Sequence, residues 1–96
     1  MDKLNKKEIL IKLKELDSWV YEHSKLQRVF VFSDFNEAFK FMTLMALEAE
    51  RINHHPEWFN IYNKVTVSLI THEVSGISEK DFLLAKSMDE VANLMI

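Results

Sequence analysis

The residues best equipped for chemistry fall in one stretch, Glu50 to Asp81. It holds His54, His55 and His72, three of the four histidines, together with Pro56, Trp58 and Gly76, the only glycine. Imidazole titrates closest to neutrality, so it can both donate and accept a proton at working pH. Glu50 and His54 stand four apart, which on a helix lets the carboxylate orient the imidazole. His55 falls just past the helix end and points elsewhere. His72 arrives on a strand and makes a pocket wall from a second element. Trp58 offers a flat surface for a planar ring. Without cysteine, a Ser-His-Asp order or a metal motif, the chemistry suggested is proton transfer rather than covalent catalysis.

Two other readings compete on spacing alone. Adjacent histidines on a helix point about 100° apart, so His54 and His55 do not share an ion as an i, i+4 pair would. There is no CxxC and no HExxH, and His72 would complete only a partial ligand set. The blander reading is structural. His-Pro segments commonly end helices, and a histidine near a helix C-terminus is favoured by the macrodipole. Asp81 has a similar explanation as the third residue of a capping box. Spacing leaves helix-end structure and proton chemistry both open.

The elements that would carry these residues follow from the hydrophobic period. Asn5 to Glu8 has the cap-x-x-Glu form of a helix start, and Ile9, Leu10, Leu13 and Leu16 follow at helical spacing to an end near Leu16 or Asp17. Trp19, Val20 and Tyr21 are strand formers, His23-Ser24-Lys25 reads as a turn, and Leu26 to Phe32 alternates Leu26, Arg28, Phe30 and Phe32 against Gln27, Val29 and Val31. His23 at the tip reads as an exposed turn residue. Asp34 to Glu37 is a second capping box, opening the longest helix, roughly residues 35 to 53. Phe35, Ala38, Phe39, Met42, Met45, Ala46, Ala49 and Ile52 form its apolar stripe. Phe41 and Leu44 fall off that stripe, which reads either as a wider core face or as a protein–protein contact; in so small a domain the contact is favoured.

Pro56 is expected to stop the helix, since the residue before a proline is pushed out of helical space. Trp58 to Tyr62 then reads as a strand, Asn63-Lys64 as a tight turn, and Val65 to Thr71 as the partner strand. Val65, Val67 and Leu69 share one face, and Thr66, Ser68, Ile70 and His72 the other. Gly76 supplies a flexible link. Ser78 to Asp81 caps a last helix with Leu84, Met88, Val91 and Met95 at helical spacing. The order α-β-β-α-β-β-α predicts an α+β domain over residues 1–96: a four-stranded antiparallel sheet with three helices packed on one face.

Composition narrows the classes. Ninety-six residues allow one domain, and so small a core gains from self-association. The net charge of −3 has the wrong sign for direct nucleic-acid binding through phosphates. No apolar run is long enough to span a bilayer and no signal-peptide core is visible, so the expected location is cytoplasmic, which the absence of cysteine also fits.

One pattern gathers these residues. Glu50-x3-His54-His55-Pro56, then Tyr62, His72 and Asp81 at fixed intervals, resembles the signature of the pterin-4a-carbinolamine dehydratases. HHPEW, YNKV, the Thr71-His72 pair, Trp19 and Leu84-Ala85 sit as in that family. One departure is Ser75-Gly76, where the family usually has two glycines; a stiffer loop is implied. The resemblance implies the fold derived above and a homodimer or homotetramer in which the long helix contributes to an intersubunit bundle. It also implies a hydro-lyase that converts 4a-hydroxytetrahydropterin to quinonoid dihydropterin, needs no metal or organic cofactor, and serves in tetrahydrobiopterin recycling. His54 and His72 would then be the acid/base pair and His55 would hold the pterin. Glu50 would orient His54, Pro56 and Trp58 would shape the pocket, and Asp81 would support His72 or simply cap its helix. The family also implies an alternative role, as a dimerisation cofactor of a transcription factor acting through the helix surface.

Overall fold

The computed structural model describes residues 1–96. Its first helix, α1 (Lys6–Leu13), begins where Asn5 accepts from the Glu8 backbone N–H and Glu8 returns a bond to Asn5 N–H. It ends three residues before Leu16, which falls in the turns that follow. Strands β1 (Val20–Glu22) and β2 (Lys25–Val31) form a hairpin closed by His23 and Ser24, with φ of 54° and 63°. Two left-handed residues in a two-residue loop give the turn whose twist matches paired strands. Helix α2 (Phe35–Arg51) is capped by Asp34, and strands β3 (Glu57–Ile61) and β4 (Lys64–Leu69) follow. A 3-10 turn over His72–Val74 leads to α3 (Glu79–Met95).

The strands assemble in the order β1-β2-β4-β3, every neighbour antiparallel. Alternation then decides the core. Leu26, Phe30, Val65, Val67 and Leu69 are all buried on the helix side of the sheet. Val29, Val31, Phe59 and Ile61 stand exposed on the other side. This is the expected α+β architecture, with one sheet face covered. No helix is long and apolar enough to cross a membrane.

The long helix is where the period misleads. Phe41 is fully buried, with its ring 4.8 Å from that of Phe30 and 5.0 Å from that of Phe32. The core face of α2 is Ala38, Phe41, Met45 and Ala49, while Phe35, Phe39 and Ala46 lie exposed. The apolar residues cover so much of the helix circumference that spacing fixes the period without fixing which arc turns inward. Phe41 is therefore a core residue and not a contact residue, whereas Leu44 remains at the surface.

Three boundaries also differ from expectation. The helix ends at Arg51, five residues before Pro56, because Asn53 adopts φ 52° and closes a Schellman motif. In it, Asn53 N–H donates to Glu50 O at 3.2 Å and His54 N–H to Ala49 O at 2.9 Å. The β3–β4 turn is Tyr62-Asn63, one residue earlier than expected, with Tyr62 at φ 49°. Gly76 is no flexible link: it is buried and exchanges backbone hydrogen bonds with Thr71 in both directions.

The left-handed position of that loop falls instead on Ser75, at φ 53°. A side chain there costs about 1–2 kcal/mol, against which glycine's larger unfolded-state freedom weighs about 0.5–1 kcal/mol. Ser75→Gly is thus expected to raise stability by about 0.5–1 kcal/mol, read as a higher urea midpoint at unchanged slope.

Candidate active site

The Schellman motif at Asn53 aims the first histidine. With its backbone N–H tied to Ala49 O, His54 lies 6% exposed and turns into the protein. Its Nε2 meets Asp81 Oδ1 at 2.6 Å, inside the first turn of α3. A carboxylate can only accept, so Nε2 carries the proton and Nδ1 is the ring nitrogen Asp81 does not engage.

Asp81 is fully buried and saturated with donors. Its Oδ2 accepts from Thr71 Oγ1 at 2.7 Å and from the Ser78 backbone N–H at 2.9 Å. Thr71 Oγ1 in turn lies 2.7 Å from Ser78 Oγ. Since the Thr71 proton goes to Asp81, the Ser78 hydroxyl supplies the second bond. The α3 cap and the support of His54 are therefore one network. Such a chain holds its charge only because every member is satisfied.

The carboxylates pair differently from the expectation: spacing joins Glu50 to His54, and the family resemblance offers Asp81 as support for His72 or as a helix cap, of which the cap is present. Glu50 pairs with His55 Nε2, not with His54, and both partners are well exposed. Asp81 contacts His54 and not His72. The i, i+4 relation that would join Glu50 to His54 holds only while the helix continues, and the left-handed Asn53 ends it.

His72 is on the 3-10 turn rather than on the strand, which stops at Leu69. Its side chain is 75% exposed, and its Nε2 lies 3.5 Å from Glu57 Oε2. Glu57 Oε1 accepts from Lys25 Nζ at 2.5 Å. That hydrogen bond, against the opposing effect of partial burial, holds the Glu57 carboxyl below its usual range, with His72 adding a smaller pull in the same direction.

The three histidines meet on one cleft of about 230 Å³, lined by Asn53, His54, His55, Ile70, His72 and Glu73. Pro56 is half-buried between His55 and the start of β3. Trp58 pairs in register with Val67 on the helix side of the sheet, where it packs on the core and does not line the cleft. No group of three His, Cys, Asp or Glu side chains is arranged to hold a metal ion. The positions that spacing did not single out are Glu57 and Asn53, while Ser78 was legible only as a helix cap. Of these, Asn53 had a legible signal, since asparagine just past a helix end favours the left-handed cap.

The chain is thus an α+β sheet protein with a buried His54–Asp81 pair on a cleft that His55 and His72 also line. Residues 2–91 match the family model described as Pterin 4 alpha carbinolamine dehydratase, and the chain belongs to that family. Among the proteins it resembles, relatives carrying the dehydratase's name come from Solibacter usitatus and Chelativorans sp. The first is 50% identical over 90 residues, covering 94% of this chain and 95% of the relative. The second is 52% identical over 92 residues, covering 94% of each. A crystal structure from Brucella melitensis, described as a transcriptional coactivator/pterin dehydratase, superposes with a TM-score of 0.93 at 42% identity. The match covers 95% of this chain and 99% of that one.

Proposed function

We propose that this chain is a pterin-4a-carbinolamine dehydratase that removes water from 4a-hydroxytetrahydropterin to give quinonoid dihydropterin, using its histidines as general acid and base in tetrahydrobiopterin recycling. Family membership supports the reaction class, and one observation carries the mechanism. His54, backed by buried Asp81, opens with His55 and His72 onto a single cleft.

The reaction needs two coupled proton transfers. The C4a–O bond breaks as the lone pair on the adjacent ring nitrogen forms a C4a=N bond. An acid must deliver a proton to the departing oxygen, making water, and a base must take one from the nitrogen. Hydrogen-bonded through Nε2 to Asp81, His54 is left with Nδ1 to exchange a proton, and the carboxylate stabilises the imidazolium that results. His72, on the same cleft, is the second exchange group. Paired with Glu50, His55 is placed to hold the pterin. Pro56 sets the approach of that segment to β3. The test is stopped-flow dehydration of 4a-hydroxytetrahydropterin, in which the protein must accelerate quinonoid formation over buffer; equal rates would remove the reading.

Self-association belongs to the same reading. Phe35, Phe39, Leu44 and Leu47 of α2 are large, exposed and outside the core. Together they make the kind of apolar surface that marks contact sites. The expected result is a dimer or tetramer by sedimentation equilibrium at micromolar concentration, shifted toward monomer by Leu47→Glu with the secondary structure kept. The coactivator description attached to the Brucella melitensis structure finds no second, distinguishing feature in this chain and remains the alternative role.

A further inference from the structure

Of the two proposed proton-exchange groups, only one is held firmly. His54 is buried against Asp81, whereas His72 stands on a three-residue 3-10 turn with its side chain three-quarters exposed. An exposed imidazole on a turn can leave its working rotamer, and an acid or base is useful only within hydrogen-bond reach of its proton.

One side chain is placed to restrain it. Glu57 is the first residue of β3 and follows Pro56 directly, so its backbone is fixed by the sheet ladder on one side and the proline ring on the other. Its Oε2 is 3.5 Å from His72 Nε2 while its Oε1 is bound by Lys25 Nζ at 2.5 Å. Lys25 is the first residue of β2. The register explains how it reaches: Glu57 pairs with Ser68, Ser68 with Gln27, and Lys25 stands two residues beyond Gln27 on the same outer face. It therefore lies at the end where β4 runs out and the His72 turn begins. Side chains from β2, β3 and the 3-10 turn thus form one chain of contacts, Lys25 to Glu57 to His72.

Lys25 holds the Glu57 carboxyl in its acceptor form, and at 3.5 Å that acceptor favours the His72 tautomer with its proton on Nε2, leaving Nδ1 as the exchanging nitrogen. Asp81 engages the same nitrogen of His54, but through a buried bond of 2.6 Å. We propose that Glu57, fixed in place by Lys25, is a positioning residue for His72 in the dehydration reaction. The inference rests on the reading of His72 as a proton-exchange group.

The alternative is an ordinary surface ion pair with no bearing on the reaction, and a double-mutant cycle separates the two. Glu57→Gln and Lys25→Met are assayed for dehydration in the wild-type and His72→Ala backgrounds, with thermal unfolding of every variant. The expected result is a roughly three- to fivefold fall in kcat for Glu57→Gln, the size a partly exposed charged pair supports, with KM and Tm little changed. Lys25→Met gives part of that loss, and Lys25→Arg, which keeps the cation, recovers most of it. In the His72→Ala background, Glu57→Gln adds no further loss. Full activity of Glu57→Gln, or the same loss in both backgrounds, would overturn the proposal while leaving His72 its role. Wild-type turnover by His72→Ala would overturn it by removing its premise.

Discussion

His54→Ala is expected to slow dehydration of 4a-hydroxytetrahydropterin by roughly 10²–10⁴-fold, the range spanned by loss of a positioned general acid or base. The geometry argues for that full range. His54 is the one histidine of the cleft whose ring is fixed by a buried partner. Truncation to alanine also strands Asp81 Oδ1 without its donor, a stability cost of about 1–3 kcal/mol. His54→Gln separates the two effects. A glutamine amide can still donate to Asp81 but cannot exchange a proton, so the rate loss should persist with most of the stability restored. Urea unfolding alongside stopped-flow kinetics reads both quantities.

Asp81→Ala should cost stability and rate together. It leaves the Thr71 hydroxyl, the Ser78 backbone N–H and His54 Nε2 without an acceptor in a fully buried site, and it removes half of the α3 capping box. Breaking one side of a buried hydrogen-bonded pair costs about 3–5 kcal/mol. Asp81→Asn is the more informative variant. The Ser78 N–H and Thr71 hydroxyl both donate to the Oδ2 side, so the asparagine oxygen must stay there and its NH2 must face His54. Two donors would then oppose each other at Nε2, and the ring must shift its proton to Nδ1, the nitrogen assigned to the reaction. The expected outcome is a folded protein with a stability loss of about 1–2 kcal/mol and a rate loss of at least roughly 10²-fold. Asp81→Asn turning over at wild-type speed would show that the carboxylate does no more than cap α3.

The sequence carried the fold further than it carried the site. Caps at Asn5, Asp34 and Ser78 announce themselves by side chains three residues apart, and the alternation from Leu26 to Phe32 leaves one choice of inner face. Those signals are local, and local physics decides them. The phase of α2 is not local. Phe41 and Phe39 are equally apolar, and only the presence of Phe30 and Phe32 across the core selects Phe41.

The same division runs through the site. The intervals linking Glu50, His54, His55, His72 and Asp81 mark the family, but which carboxylate serves which imidazole depends on tertiary placement. A single left-handed residue, Asn53, turns His54 away from Glu50 and toward Asp81, 27 residues later in the chain. Asp81 in particular reads as an ordinary helix cap in sequence, and it is one. The buried bond to His54 is a second use of the same carboxylate that no local pattern signals.

If His54 and His72 supply the two proton transfers of one dehydration step, single-turnover stopped-flow of the wild type, His54→Ala, His72→Ala and the double variant reads their coupling. Groups that act as a unit in one transition state lose most of their effect when either is removed. Each single variant is expected to fall by roughly 10²-fold or more, with the double variant little slower than the slower single. Near-wild-type rates in both single variants, with the fold intact, would contradict it.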